Sequence, residues 1–594
     1  MLLDHITSPA DVKALPAAEL PALCAEARAA ILASSAAVGG HVASNLAAVE
    51  LTVALHRVFD APVDKLIFDV SHQTYTHKML TGRAPQFLDP TRYGELSGFA
   101  SPRESEYDLF AMGHTSTSIS LACGMARARD LAGEHHDIVA VIGDGSLSGG
   151  LAFEGLDALA ELGSGVIVVV NDNGWSIAEN HGGIYRSLAE LRATGGAAPR
   201  NIFTALGLEY RFLADGNDVF ALISALEDLR GAQRPVVLHI CTVKGLGYEP
   251  AARDPETWHH VGPFDLALGA SAPPRNRHPE LEDSYAEITG AHLSERLAAD
   301  PSVVVVSAAT PYILGFTPER RAAAGSQYVD AGIAEEHAVT FSCGLARAGA
   351  KPVLGLYGVF LQRAYDELWH DLCLNDLPVT LLDFGASVYG ANDATHLSFF
   401  DLALTGPLPN LTVLAPVCRE EYLAMLDWAI DCADGPVCIR VPGADVVSRP
   451  DLAPVPGEGF ERPRYQVVRA GAEIAILGLG SFFEDGETIA RVLERRAGVR
   501  ATVVNPRFVT DFDDALLGRL AADHRVVVTL EDGVIEGGWG EKIARKLGPT
   551  GVRVLCYGIH KGFPDRFRPE DLLSRNGLTV NGIVADVLRA LDAS

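Results

Sequence analysis

The sequence predicts an α/β fold of three tandem α/β domains with mostly parallel sheets. Short β-branched runs alternate with Ala- and Leu-rich stretches, the rhythm of βαβ units. Two polar, Pro-rich passages interrupt that rhythm, and it restarts after each. At 594 residues the chain also exceeds several times over the roughly 100–200 residues of one domain.

In chain order, strands are expected at 136–142, 166–170 and 236–241, with a helix at 151–162. The passage ASAPPRNRHPELE (270–282) reads as a linker. Strands follow at 303–307, 352–356 and 379–383, with a helix at 335–348. A second break at 448–464 carries Pro450, Pro454, Pro456 and Pro463. Beyond it, 473–477, 501–504 and 525–530 read as strands of a smaller unit. The domains expected are therefore 1–278, 279–450 and 465–594, with no short-period repeat.

Charge and cysteine usage narrow the function classes. The net charge of −28, from 48 Lys plus Arg against 76 Asp plus Glu, repels a phosphate backbone, so nucleic acid is not an expected partner. Apolar runs such as 165–170 and 303–306 fall short of the about 20 residues of a membrane span. The first residues carry Asp4 and Asp11 rather than a basic stretch followed by an apolar one. Nine cysteines without a C-x-x-C pair suit reduced thiols. A cytoplasmic protein with no membrane partner is expected.

Two triplets carry the cofactor chemistry. Gly143-Asp144-Gly145 follows the strand-like 138–142, and Asn171-Asp172-Asn173 follows 166–170. Either alone is an ordinary turn signal. Together, 29 positions apart from Asp144 to Asn173, they allow one crossover helix and so fall at the carboxyl ends of neighbouring parallel strands, where open α/β sheets bind ligands. Asp144 offers a carboxylate, Asn173 an amide oxygen and Trp175 a backbone carbonyl, an oxygen set that suits Mg²⁺ completed by phosphate oxygens. Gly145, with Ser146 after it, brings backbone close to those phosphates ahead of a helix N-terminus. The paired signature is that of thiamine diphosphate with Mg²⁺.

With these motifs in place, the chain resembles the transketolase superfamily, and within it the 1-deoxy-D-xylulose-5-phosphate synthase family. Segments 41–83, ESEYDLFAMGHTSTSIS (104–120), KGLGYEP (244–250), AGIAEEHAVTF (331–341), YGVFLQRAYDE (357–367) and NPRFVTDFD (505–513) look like that family's in order. The resemblance implies a three-domain chain and a homodimer. It also implies roles. In that family a glutamate hydrogen-bonded to the aminopyrimidine ring lets the cofactor act as its own base; Glu335 matches it and Glu336 does not. Phe360 matches the aromatic against the pyrimidine. His72, Gly113, His114 and Thr115 match diphosphate contacts, and Tyr248 a contact near the cofactor. His41, His259 and His396 match substrate-side histidines that hold the donor carboxylate and shuttle protons. Tyr357 and Arg363 match residues facing the substrate, while His260 and His337 read as structural.

The chain leaves the family pattern in two places. Where the family reads D-R-A-G and then G-A-D-G-x-T-H, this sequence has Asp383-Phe384-Gly385-Ala386 and Gly390-Ala391-Asn392-Asp393-Ala394-Thr395-His396. Gly385 stands for an arginine and Asn392 for an acidic residue. The family's R-Y-P-R-G is Arg440-Val441-Pro442-Gly443-Ala444, so Gly443 stands for a second arginine. Those arginines grip the acceptor's phosphate, each contact being worth about 1.5–3 kcal/mol. The passage 180–201 is also short, which predicts a more open site.

The expected function is a thiamine diphosphate-dependent carboligase, a transferase of aldehyde or ketone residues. It decarboxylates pyruvate or a related 2-oxo acid and passes the two-carbon unit to an aldehyde-type acceptor, with glyceraldehyde 3-phosphate a poor one. Three alternatives stand beside it: ordinary deoxyxylulose-phosphate synthesis, transketolase-type ketol transfer, and a silent paralogue kept for binding. Intact Asp144, Asn173 and Glu335 argue against the last.

Overall fold

Lys65–Phe68 (β1), Ile138–Gly143 (β2), Ile167–Asp172 (β3), Glu209–Leu213 (β4) and Val236–Cys241 (β5) pair in parallel in the order β1-β2-β3-β5-β4. Their side chains alternate between two covered faces, which is why the strands read as unbroken apolar runs. Val139, Val141 and Val169 pack with Leu51, Leu55 and Leu222. Ile138, Ala140, Val168 and Val170 pack with Ile119, Leu156 and Leu188 on the other side. A short antiparallel hairpin, Phe264–Asp265 (β6) and Ala270–Ser271 (β7), follows.

The computed structural model describes residues 1–271, 284–455 and 459–593. They fall into two units, the first formed by 1–271 with 332–334 and the second by 284–331 with 335–593. The linker read at 270–282, the boundary at 278 and Pro456 lie outside the described residues, apart from the first two linker positions.

The second unit carries two sheets. Val303–Ser307 (β8), Tyr328–Asp330 (β9), Lys351–Tyr357 (β10), Thr380–Ala386 (β11), Thr412–Leu414 (β12) and Val437–Pro442 (β13) are parallel, in the order β12-β13-β11-β10-β8-β9. Gln466–Arg469 (β14), Glu473–Gly478 (β15), Thr502–Asn505 (β16), His524–Val534 (β17) and Arg553–Ile559 (β18) form the other, in the order β14-β16-β15-β17-β18, with β14 alone antiparallel. The predicted α/β class with mostly parallel sheets is therefore the observed one.

Buried ion pairs tie these two sheets. Arg440 on β13 forks onto Asp401 and places Nη1 2.7 Å from Asp532 on β17, all three buried. Glu421 accepts from Arg507 Nε at 2.6 Å and from Asn505 Nδ2 at 2.8 Å. Asp383, opposite Arg440 in the β11–β13 register, is buried with neither carboxyl oxygen hydrogen-bonded among the described residues. Burial, reinforced by the charge of Asp401, holds its carboxyl well above the usual range.

One expectation needs correction. A helical stretch, Ala17–Val38, is long and apolar enough to cross a membrane by length and composition, though 39% of its most apolar window is buried in the protein. Leu20, Leu23, Ala27 and Ile31 belong to a core cluster with Val42 and Leu46. Arg28 midway along it pairs with Glu50 at 2.8 Å. All nine cysteines are free thiols.

Replacing Arg440 with Leu strands Asp401 and Asp532 as unpaired buried charges, a loss of about 3–5 kcal/mol. Urea unfolding of the variant checks this, and a loss under about 1 kcal/mol would show that the pair is immaterial to stability.

Candidate active site

In the first unit, the carboxyl ends of β1, β2 and β3 gather the polar groups. Asp144 follows β2 and is buried; its Oδ2 accepts from Gly174 N–H at 2.9 Å and from Asn180 Nδ2 at 2.8 Å. Burial, then the neighbouring charge of Asp172, pushes the Asp144 carboxyl upward. Asp172 goes the other way, because hydrogen bonds from His239 and Arg192 outweigh its burial. Asn173 Oδ1 accepts from Trp175 N–H at 3.1 Å, folding the turn so that Asn173 and Trp175 lie together after β3.

Gly145 opens a 3₁₀ turn, Gly145–Ser148, and the long helix starts only at Gly150. A β-carbon at Gly145 would stand 2.7 Å from Ser176 Oγ and 3.0 Å from its Cα. Glycine is thus required by the approach of the two turns, a reason the spacing alone does not reveal. The short passage 180–201 departs from expectation. Gly183–Ala193 is a helix with Tyr185, Leu188 and Leu191 buried. The Tyr185 hydroxyl donates to the Gly145 carbonyl at 3.1 Å, so this segment folds onto the turn rather than leaving it bare.

Two residues that sequence reasoning passed over organise the neighbouring loops. Asn45, buried, donates from Nδ2 to the carbonyls of both His41 and His72 at 2.7 Å, and its Oδ1 accepts from Tyr75 N–H at 2.9 Å. Asp69 follows β1, and its carboxylate accepts from the N–H groups of Ser116 at 2.8 Å and Ser118 at 3.0 Å. That clamp fixes the turn of Gly113, His114 and Thr115 and the start of the Ser118–Ala132 helix.

The histidines converge. A two-way backbone bridge between Gly40 and Val261 brings the two loops together, with the His41 ring 5.1 Å from His72, 5.6 Å from His259 and 4.6 Å from His260. His260, read as structural, lies nearest to His41. Burial, and then the positive charge of Lys244, holds the His259 imidazole well below its ordinary value and therefore neutral. Lys244 is buried, donates to the Ser176 carbonyl at 2.6 Å, and is brought down to about 8 by burial. It opens the KGLGYEP motif, but a buried lysine leaves no periodic signal in sequence. Tyr248 from that motif turns its ring to Trp258, 5.1 Å away, and to Phe264.

In the second unit, Glu335 is the first residue of the Glu335–Arg347 helix and 3% exposed. Its Oε2 accepts no hydrogen bond among the described residues, and Arg363 Nη1 stands 3.9 Å away. Burial pushes this carboxyl up to about 7 against the pull of Arg363. Tyr357 ends β10, and Phe360 follows with its ring 6.1 Å from Tyr357 and 5.6 Å from His396.

Gly385, near the end of β11, and Gly443, just after β13, are both closely packed. Gly385 has φ +73°, a region costly for other residues, and a β-carbon there would be 2.9 Å from the Tyr357 ring. At Gly443 a β-carbon would lie 2.7 Å from both Cα and N of Gly390. Neither position admits a long side chain without moving backbone or an aromatic ring. Asn392 turns away, its Nδ2 donating to the Phe567 carbonyl at 2.9 Å. Among the described residues no group of three or more His, Cys, Asp and Glu is arranged to hold a metal ion.

Comparison with known proteins agrees across the chain. A 1-deoxy-D-xylulose-5-phosphate synthase family model matches residues 3–198, a transketolase pyrimidine-binding domain 283–446, and a transketolase C-terminal domain 464–583. The 1-deoxy-D-xylulose-5-phosphate synthase of Symbiobacterium thermophilum is 41% identical, with 98% of this chain and 94% of that one covered. That of Thiobacillus denitrificans is 40% identical over 100% and 99% of the two chains. Full-length likeness at this level, on three sheets whose strand ends carry the matching motifs, makes the chain a member of the 1-deoxy-D-xylulose-5-phosphate synthase family, a thiamine-dependent carboligase of the transferase class.

Proposed function

We propose that this enzyme binds thiamine diphosphate with Mg²⁺, decarboxylates pyruvate or a close 2-oxo acid, and transfers the two-carbon unit to a non-phosphorylated aldehyde. Glu335 carries the cofactor assignment: its buried Oε2 accepts no hydrogen bond among the described residues and has Arg363 Nη1 3.9 Å away, an arrangement that is costly unless a ligand group completes it. The first unit offers the oxygen donors that a diphosphate-bound cation needs. Asp144, Asn173 and the Trp175 carbonyl are hard oxygen donors, too few to cage a cation alone, which is how Mg²⁺ is held when phosphate oxygens share the shell.

Bound thiamine diphosphate supplies the electron sink for breaking a carbon–carbon bond beside a carbonyl. In the first unit, His72, the Gly113-His114-Thr115 turn, Gly145 and Ser146 hold the diphosphate, and Tyr248 borders it. His41 and His259 orient the donor carboxylate, with His259 neutral and so able to accept a proton. In the second unit Glu335 holds a proton against the aminopyrimidine ring, and Phe360 packs on that ring. Tyr357 and Arg363 face the substrate, and His396 moves a proton at its oxygen. The domains divide at 278 and at 450–465, and the enzyme works as a cytoplasmic homodimer.

The acceptor assignment rests on Gly385 and Gly443. A phosphate entering beside them gives up hydration without gaining the two forked donors. The glycines are also packed against Tyr357 and Gly390, so a side chain placed at either position has no free path. Ordinary deoxyxylulose-phosphate synthesis, the activity named for the relatives, is the second reading, and Arg363 is the cation that favours it.

Asp144→Ala removes the anionic ligand, and Mg²⁺-dependent binding of thiamine diphosphate, read by calorimetry, is expected to disappear; unchanged affinity would refute the metal assignment. In competition assays with pyruvate, a non-phosphorylated aldehyde is expected to outcompete glyceraldehyde 3-phosphate. Preference for the phosphorylated aldehyde would restore ordinary synthase activity.

A further inference from the structure

The family's acidic residue before T-H is absent at Asn392, yet a carboxylate has reappeared one position on, at Asp393. We propose that Asp393 is a positioning residue that fixes His396 as its Nδ1–H form, so that Nε2 is the nitrogen exchanging a proton with substrate; this rests on the substrate-side reading of His396 given above.

The loop that carries the pair is fastened on both flanks. Asn392 donates to the Phe567 carbonyl at 2.9 Å, and Ala394 N–H donates to Asp565 Oδ1 at 3.1 Å. The Ala391 N–H binds the Tyr357 hydroxyl. With the backbone held, the 393–396 turn closes on itself. Asp393 Oδ1 accepts the N–H of Thr395 at 2.9 Å and its hydroxyl proton as well. Asp393 Oδ2 lies 3.3 Å from His396 Nδ1, and Thr395 Oγ1 lies 2.8 Å from the same nitrogen.

Counting protons assigns the tautomer. Thr395 has one hydroxyl hydrogen, and it goes to Asp393. Toward His396 the Thr395 oxygen is then an acceptor, as is the carboxylate, so Nδ1 must be the donor. In the neutral ring the lone pair is left on Nε2. The imidazole is held edge-on to Phe360, at 79° and 5.6 Å between centroids, which ties its orientation to the aromatic proposed to pack on the pyrimidine. Although burial opposes it, the hydrogen bonds from His396 and Thr395 keep the Asp393 carboxyl below the usual range, so it is ionised at neutral pH. Among the described residues, Tyr357 feels the Asp393 charge, and Asp565 stands at the flank of the turn on the Ala394 N–H.

Asn392 and Asp393 thus divide two tasks: the amide pins the loop and the carboxylate orients the imidazole. Because Thr395 engages Oδ1 through both N–H and O–H, an asparagine at 393 keeps its oxygen there and presents its NH₂ where Oδ2 stood. That donor turns to Nδ1 and competes there with the Thr395 oxygen at 2.8 Å, which drives the ring hydrogen toward Nε2, the wrong tautomer for a base.

The experiment compares full-length wild type with Asp393→Asn and Asp393→Glu, reading the His396 tautomer by ¹⁵N NMR of labelled imidazole and turnover of pyruvate by CO₂ release. Expected is Nδ1–H in wild type and Nε2–H in Asp393→Asn, with kcat down about 10²-fold and the KM for pyruvate changed by less than about threefold. Asp393→Glu is expected to regain the wild-type tautomer and part of the rate. An unchanged tautomer in Asp393→Asn overturns the proposal, as does a changed tautomer with unchanged kcat. Full activity in His396→Ala overturns it by a different route, since it removes the role of His396 while the NMR result for Asp393 stands.

Discussion

Parallel strands with helices over both faces leave one place for polar chemistry, the edge where their carboxyl ends stop, and that edge has to satisfy whatever polar groups it collects. In this chain it collects Asp69, Asp144 and Asp172, while in the second unit Glu335 is buried at the start of a helix. Asp69 is satisfied by two backbone N–H groups, and Asp172 by Arg192 and His239. Asp144 has an amide and one N–H, and Glu335 Oε2 accepts no hydrogen bond among the described residues, with Arg363 3.9 Å away. Glu335 and Asp383 are the buried carboxyls with oxygens left without a hydrogen bond among the described residues; Asp383 lies opposite Arg440 in the sheet, and Glu335 is the one proposed to be completed by a ligand. Stability and function are set against each other at the same residues.

Much of this was legible in the sequence. β-branched runs such as Val236–Cys241 and Val303–Ser307 are strands at the expected residues because both their faces are covered, and the spacing from Asp144 to Asn173 did place them after neighbouring strands. Asn45, Asp69 and Lys244 were not legible. Each works by reaching a backbone atom far away in sequence, and neither periodicity nor local turn chemistry registers such a bond. The closeness of His260 to His41 is hidden for a similar reason, since a backbone bridge between Gly40 and Val261 brings the two loops together. Gly145 is expected from the sequence to bring backbone close to phosphates; the reason for glycine that the structure gives, the approach of Ser176, is a tertiary fact.

Where the family resemblance sets two glycines against two arginines, the sequence registers only a difference in charge, whereas the structure shows how closely both positions are packed. At Gly385 a left-handed backbone lies under Tyr357, and at Gly443 the Gly390 backbone occupies the path of a side chain. The loop between them is pinned through Asn392 to Phe567, so the space has been rebuilt rather than vacated. A substitution back to arginine at either position therefore collides before it can bind a phosphate. The same loop carries Asp393 and His396, so the packing around Gly443 and the placement of that imidazole share one stretch of backbone.

The central claim is that Glu335 is a buried carboxyl kept protonated near neutrality until it meets the cofactor. Difference infrared spectroscopy of wild type against Glu335→Gln, titrated without cofactor, reads the protonated carboxyl band directly. The account predicts a band present in wild type, absent in the variant, and lost with a midpoint of about 7. A carboxylate already ionised through pH 5–8, titrating near the ordinary value of about 4.3, would contradict it.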